Sequence, residues 1–142
     1  MNTLQVLLER IECGDVVSFT TFEEIDVETA LDKREQPSFE QDWLDAFNFI
    51  EAGIQANPLS EDESKLIDAV REIAYKRTYA HTEDPDLCAY VSDDFELVGK
   101  ALALSLEDTW ANALWLSYKS EVFPCGKLKR VRGRLAELVV GS

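Results

Sequence analysis

The stretch LVGKALALSLEDTWANALWLSY, from Leu97 to Tyr118, sets the architecture. Lys100, Glu107 and Asp108 interrupt its apolar run, so it is too broken to span a membrane. Phe95, Val98, Leu102 and Leu106 recur at helical spacing, and Leu97, Ala101 and Leu104 form a second apolar face on the same helix. A helix apolar on two faces is buried between neighbours. Asp108 then caps a partner helix bearing Trp110, Leu114, Trp115 and Tyr118. Together they predict an apolar helical hairpin over residues 94–120 at the centre of the fold, with Trp110 and Trp115 in the core.

On either side of this hairpin the chain is a string of capped helices. Thr3 caps a helix carrying Leu4, Leu7, Leu8 and Ile11, and Gly14 stops it. Val16 to Phe22 is β-branched and aromatic, compatible with a short strand. Thr21 with Glu24 makes a capping box, which favours a linker and then a helix from Phe22 to about Arg34. Pro37 breaks the chain. Ser38 caps a helix with Phe39, Trp43, Phe47, Ile50 and Ile54 on one stripe, ended by Asn57-Pro58.

Ser60 with Glu63 is a second capping box, followed by the stripe Leu66, Ile67, Val70, Ile73 and Ala74, reaching about Tyr79. Asp84-Pro85 starts a short helix to Val91, and Ser92 or Asp93 caps the next. After Pro124 and Gly126, Leu128, Val131, Leu135 and Leu138 form the stripe of an expected final helix, weakened in its middle by Gly133. No repeat or low-complexity linker divides the chain. The expectation is an all-α fold: one domain over residues 1–142, with six or seven helices.

Composition narrows the function. The 142 residues are 46% apolar and 30% charged, which excludes wholesale disorder. Net charge is −14, with a pI near 4.4. Such a surface does not bind nucleic acid or an anionic membrane through its bulk, because phosphate binding depends on positive charge. Cys13, Cys88 and Cys125 are far apart and odd in number, the pattern of reduced thiols in a cytoplasmic protein. The start, Met1-Asn2-Thr3-Leu4, lacks the basic segment of a secretory signal.

Enzyme signatures are missing. His81 is the only histidine, so no histidine-based zinc site is expected, and no cysteine pattern replaces it. There is no phosphate-binding loop, Gly-rich dinucleotide turn, nucleophile elbow or calcium loop. His81 lies near Tyr75, Tyr79, Glu83 and Asp84, where a role as base or pH switch competes with that of a helix-end residue, and the latter is preferred. Cys13 and Cys88 read as small core hydrophobes. Cys125, near Lys127 and Lys129, is the more reactive thiol. The expectation is no enzyme, no cofactor and no metal.

Charge placement is more informative. Residues 1–118 carry 26 acids and 8 bases, whereas residues 119–142 carry 2 and 6. Lys127, Lys129, Arg130, Arg132 and Arg134 form a basic tail. On a helix, Lys127, Arg130 and Arg134 share a face. With no aromatic among them to stack on bases, the tail is expected to dock on an acidic groove of the body rather than on nucleic acid.

Glu83 to Glu96 is an acid run without a base, alternating with Leu87, Tyr90 and Phe95. A second run, Glu23 to Asp45, surrounds Phe39 and Trp43. Trp43, between Asp42 and Asp45, is either a core residue of its stripe or an interface anchor. The stripe favours the core.

Carboxylates mixed with aromatics suit a basic protein partner: opposite charge speeds encounter, and buried aromatics hold the complex. The expected contact residues are Tyr79, Glu83, Asp84, Asp86, Tyr90, Asp93, Asp94 and Glu96, with Glu23–Asp45 as the alternative surface. A small acidic helical chain without catalytic motifs fits the class of inhibitors of basic proteins. Immunity proteins and antitoxins that neutralise nuclease toxins belong to that class. The competing readings are a helical adaptor and, more remotely, an enzyme using an unmarked pair of carboxylates.

Overall fold

Helix α6 (Pro85–Leu104) runs through the middle of the molecule. The computed structural model describes residues 2–141, and among these it contains eight helices and no strand. The others are α1 (Thr3–Glu12), α2 (Phe19–Phe22), α3 (Val27–Arg34), α4 (Pro37–Ala56), α5 (Glu61–Thr82), α7 (Thr109–Lys119) and α8 (Leu135–Val140). The all-α expectation holds, with eight helices instead of six or seven.

α6 packs most extensively on α5 and also meets α1, α4, α7 and α8. The centre is therefore α6 with α5 beside it, and α7 is one of several further neighbours. The helices are in contact around Gly99: a Cβ built there would lie 3.4 Å from Ile67 Cγ1 and 3.6 Å from Leu4 Cδ2, ordinary packing distances. Trp110, Trp115 and Tyr118 of α7 are fully buried, and the Phe39 ring meets Trp110 edge-on at 5.2 Å.

Three helix starts follow the sequence signals. Ser60 and Glu63 form their capping box, Asp84 caps α6 with Pro85 at its first position, and Asp108 accepts from the Trp110 and Ala111 amides. Other signals were overridden. Asn2, not Thr3, caps α1. The Thr21–Glu24 box does not form, because Thr21 pairs with Ser18, and Ser18 and Asp26 cap two short helices, α2 and α3. Gln36, not Ser38, precedes α4.

The break expected at Ser92–Asp93 is absent. The Ser92 hydroxyl donates to the Arg71 carbonyl of α5 at 3.2 Å, so it does not compete with the helical backbone.

The basic tail departs furthest from expectation. Only Leu135–Val140 is helical; residues 121–134 form a strap without helix. Gly126 (φ +71°) and Gly133 (φ +129°) take conformations incompatible with a helix. The strap's backbone is satisfied by the body instead. Asn112 Nδ2 donates to the carbonyls of Val131 (3.0 Å) and Gly133 (2.9 Å), and the Val131 amide donates to the Thr109 carbonyl. Lys127, Arg130 and Arg134 consequently share no helical face. Docking itself is seen: Lys127 and Arg130 reach Asp42 of α4 at 3.5 and 3.2 Å.

Among the described residues no helix is long and apolar enough to cross a membrane.

Candidate functional site: an acidic groove over a buried ion pair

The last residue of α3, Arg34, turns into the protein and meets Asp94 of α6. Nη1 and Nη2 each donate to one carboxylate oxygen at 2.7 Å. Trp43 Nε1 of α4 donates to Asp94 at 3.0 Å, and the Tyr118 hydroxyl of α7 donates to the same carboxylate at 2.6 Å. Arg34 also donates to the Pro124 carbonyl at the root of the strap. Arg34 is 4% exposed and Asp94 not at all.

Two charges taken out of water this far are tolerable only when their hydrogen-bonding capacity is met, and four donated bonds nearly saturate this carboxylate. Burial is the largest single influence and disfavours the Arg34 cation, but the Asp94 charge and hydrogen bonds, with Tyr118, together outweigh it and hold the guanidinium pKa above its ordinary range. Burial, reinforced by the Asp94 charge, pushes the Tyr118 phenol well up, so it remains a donor. The centre ties α3, α4, α6, α7 and the strap into one geometry.

Above it lies a groove of about 210 Å³, bounded by Arg34, Phe39, Trp43, Leu44 and Tyr90 and by the carboxylates of Glu35, Glu40 and Asp93. A neighbouring depression shares Glu35, Tyr90 and Asp93 with it and adds Leu31, Asp86 and Ala89. The two form one face across α3, α4 and α6. Among the described residues Glu35, Glu40 and Asp86 have no ion-pair partner, whereas Asp93 sits 3.1 Å from Arg71 Nη2. Burial raises the Asp93 carboxyl, Arg71 counters, and Glu96 and Asp94 add to the rise.

The expected contact residues divide accordingly. Asp86, Tyr90 and Asp93 lie on this face. Asp94 is a correction: it is sealed beneath the face and presents no charge to a partner. Glu96 faces α5, bonded to Arg71 at 2.6 Å, and lies 3.8 Å from Lys100 one turn further along α6. Asp84 is engaged as the α6 cap, and Glu83 is the left-handed residue ending α5. Tyr79, 47% exposed, stands on α5 and does not line the groove.

Glu35, Glu40 and Leu44 belong to the alternative run, Glu23–Asp45. The two runs treated as rival surfaces thus converge. Trp43 lies at the edge of the core: half-buried, stacked on Phe47 at 5.4 Å, and open to the groove on one side.

The remaining chemical candidates lie elsewhere. His81 packs against the Phe19 and Phe22 rings at 6.0 and 6.2 Å, and burial, then the Arg77 charge, lowers its pKa below 6.5. All three cysteines are free. Cys88 is buried as expected and Cys125 half-buried, but Cys13 is exposed at the end of α1 rather than in the core. Among the described residues no group of three or more His, Cys, Asp or Glu side chains is placed to hold a metal ion.

No curated protein matches the chain in sequence. The family model for Immunity protein PIM1 matches residues 6–125, which takes in most of α1, all of α2 to α7, the buried ion pair and every residue of the groove. With that match over most of its length, the chain belongs to the Immunity protein PIM1 family.

Proposed function

We propose that this protein binds and neutralises a basic toxin, a nuclease being the leading type, by covering its cationic site with the face formed by α3, α4 and α6. Membership in an immunity family implies a toxin partner and points to inhibition rather than catalysis. The observation that carries the finer reading is the convergence of two acid runs on one aromatic-lined face. Among the described residues three of its carboxylates, Glu35, Glu40 and Asp86, are without an internal ion pair. Such carboxylates take the place of substrate phosphates over a cationic cleft, and their field speeds encounter. Neutralisation would take place in the cytoplasm, with neither cofactor nor nucleic acid taking part.

The test is co-expression with the toxin. Wild-type chain should restore growth and recover the toxin in near-equal amount, released by moderate salt. A complex that survives high salt would instead favour the adaptor reading. That reading draws on exposed Phe19, Phe49 and Val122, apolar surface lying apart from the groove.

A further inference from the structure

We infer that the outward face of α4 is a contact between two copies of this chain, related by a two-fold axis that runs along the helix.

The face stands out by what it lacks. Over residues 41–56, eight side chains are exposed and Asp45 is the only charged one among them. On α5, by contrast, six of the ten exposed residues are charged. Leu44 and Phe49 are 42% and 47% exposed. Gln41, Asn48, Ala52 and Gln55 share their arc, since each helical residue advances by about 100°. Even Asp45 is engaged, accepting from Gln41 Nε2 at 2.8 Å. In a chain of net charge −14, a long helix face this poor in charge has the composition of an interface centre, where charged residues are depleted and aromatics enriched.

The flanks of the arc select the partner. Along one flank, Lys127, Lys129 and Arg130 of the strap run beside Asp42. That single carboxylate serves both Lys127 and Arg130, and among the described residues Lys129 has no ion pair. Along the other flank lies the groove, with Glu40 and, across it, Glu35. One flank is therefore cationic and the other anionic. A basic partner laid on this arc meets like charge at the strap, and an acidic one meets it at the groove.

A second copy meets neither. With the axis along α4, each strap lies over Glu35 and Glu40 of the other copy, and the Leu44 and Phe49 faces meet between them. An isologous contact requires this self-complementarity. An axis across α4 would set strap against strap. At physiological ionic strength, charges more than about 8 Å apart are largely screened, so the facing flanks outweigh the net charge of the two bodies.

Sedimentation velocity over a concentration series of the full chain should show reversible monomer–dimer exchange. Phe49→Ser, Lys127→Glu/Lys129→Glu and Glu35→Lys/Glu40→Lys should each weaken the dimer at least about tenfold. Arg130 is left in place to hold the strap on Asp42, and circular dichroism checks that the variants fold. The decisive sample is an equimolar mixture of the two charge variants, in which both flanks are complementary again. It should dimerise as wild type does, although neither variant does so alone. A chain that stays monomeric at every concentration overturns the inference. So does a dimer that the three variants leave intact, or a mixture that fails to recover.

A last arm uses the toxin and rests on the proposed function. Straps that cover Glu35 and Glu40 must leave before the toxin binds there, so toxin should convert the dimer into a one-to-one complex. Toxin bound to an intact dimer overturns the two-fold arrangement. Toxin that shields residues 45–56 of a monomeric chain gives the face to the toxin and likewise overturns it. If wild type binds no toxin, the immunity reading fails and the dimer measurements alone decide the role of the face.

Discussion

Asp93 and Asp94 are adjacent on α6 and belong to different worlds. Asp94 is the floor of the groove: unexposed, gripped by Arg34, Trp43 and Tyr118. Asp93 is part of the rim, its side chain 48% exposed and loosely held by Arg71. One helical step turns a side chain by about a quarter circle, which suffices to place one carboxylate in the core and the next on the surface. The floor fixes the shape of the site and the rim supplies its field. The two should respond to mutation in opposite ways.

The largest effect belongs to the floor. Asp94→Ala leaves the Arg34 charge buried without a counter-ion and should lower unfolding free energy by about 3–5 kcal/mol in a urea titration. The double change Arg34→Met/Asp94→Leu should recover much of that, because no uncompensated charge remains. A loss under about 1 kcal/mol for Asp94→Ala would mean that the pair is solvated and the floor is misread.

Reversing the rim should do the converse. Glu35→Lys/Glu40→Lys/Asp86→Lys should change stability by no more than about 0.5 kcal/mol per site, since all three acids are exposed. The on-rate for the toxin should fall at least about tenfold at low salt, with the difference closing as salt is raised. Stopped-flow association across an ionic-strength series reads this. A rim variant that unfolds the protein would merge the two regions into one.

Acidification offers a further separation. Burial first, and Arg77 second, favour the neutral His81 ring, so its folded pKa lies below the unfolded 6.5. Its contribution to stability is fully present above 6.5 and is lost as pH falls through the folded value. His81→Gln should flatten the stability profile in that window without altering toxin affinity at pH 7.5, because His81 packs on Phe19 and Phe22 away from the groove. Affinity lost together with the pH dependence would extend the interface to α2.

The smallest effect is expected at the strap. Asp42→Asn removes the partner of Lys127 and Arg130, whose side chains are 72% and 48% exposed. Exposed pairs of this kind contribute about 0–1 kcal/mol, screened by salt. Thermal unfolding at low and high salt should show a difference only at low salt.

The fold was legible where a signal is local. The Ser60–Glu63 box, Asp84-Pro85 and Asp108 each satisfy backbone amides within a few residues, so spacing alone revealed them. The full burial of Trp110 and Trp115 followed from their place on the apolar helix that Asp108 caps. Ser92 misled because its hydroxyl is occupied by α5, a partner twenty-one residues away. The tail misled similarly: leucine spacing suggested a helix, but Asn112 and Thr109 hold that backbone in another shape.

The candidate site was half legible. Both acid runs stood out by composition. Their convergence did not, since it depends on an ion pair spanning sixty residues. Nothing in the run around Asp93 and Asp94 distinguishes the acid that will be buried. The one available sign was Arg34, with Lys33 one of two bases in an acidic stretch, which needs a buried carboxylate once its helix packs inward.

The central claim, that the face of α3, α4 and α6 carries the toxin, is tested most directly by hydrogen–deuterium exchange on the chain alone and in its toxin complex. The account predicts new protection concentrated in residues 31–44 and 86–93, with α8 and the strap unchanged. Protection confined to α5 around Tyr75 and Tyr79, or to the strap, would contradict it.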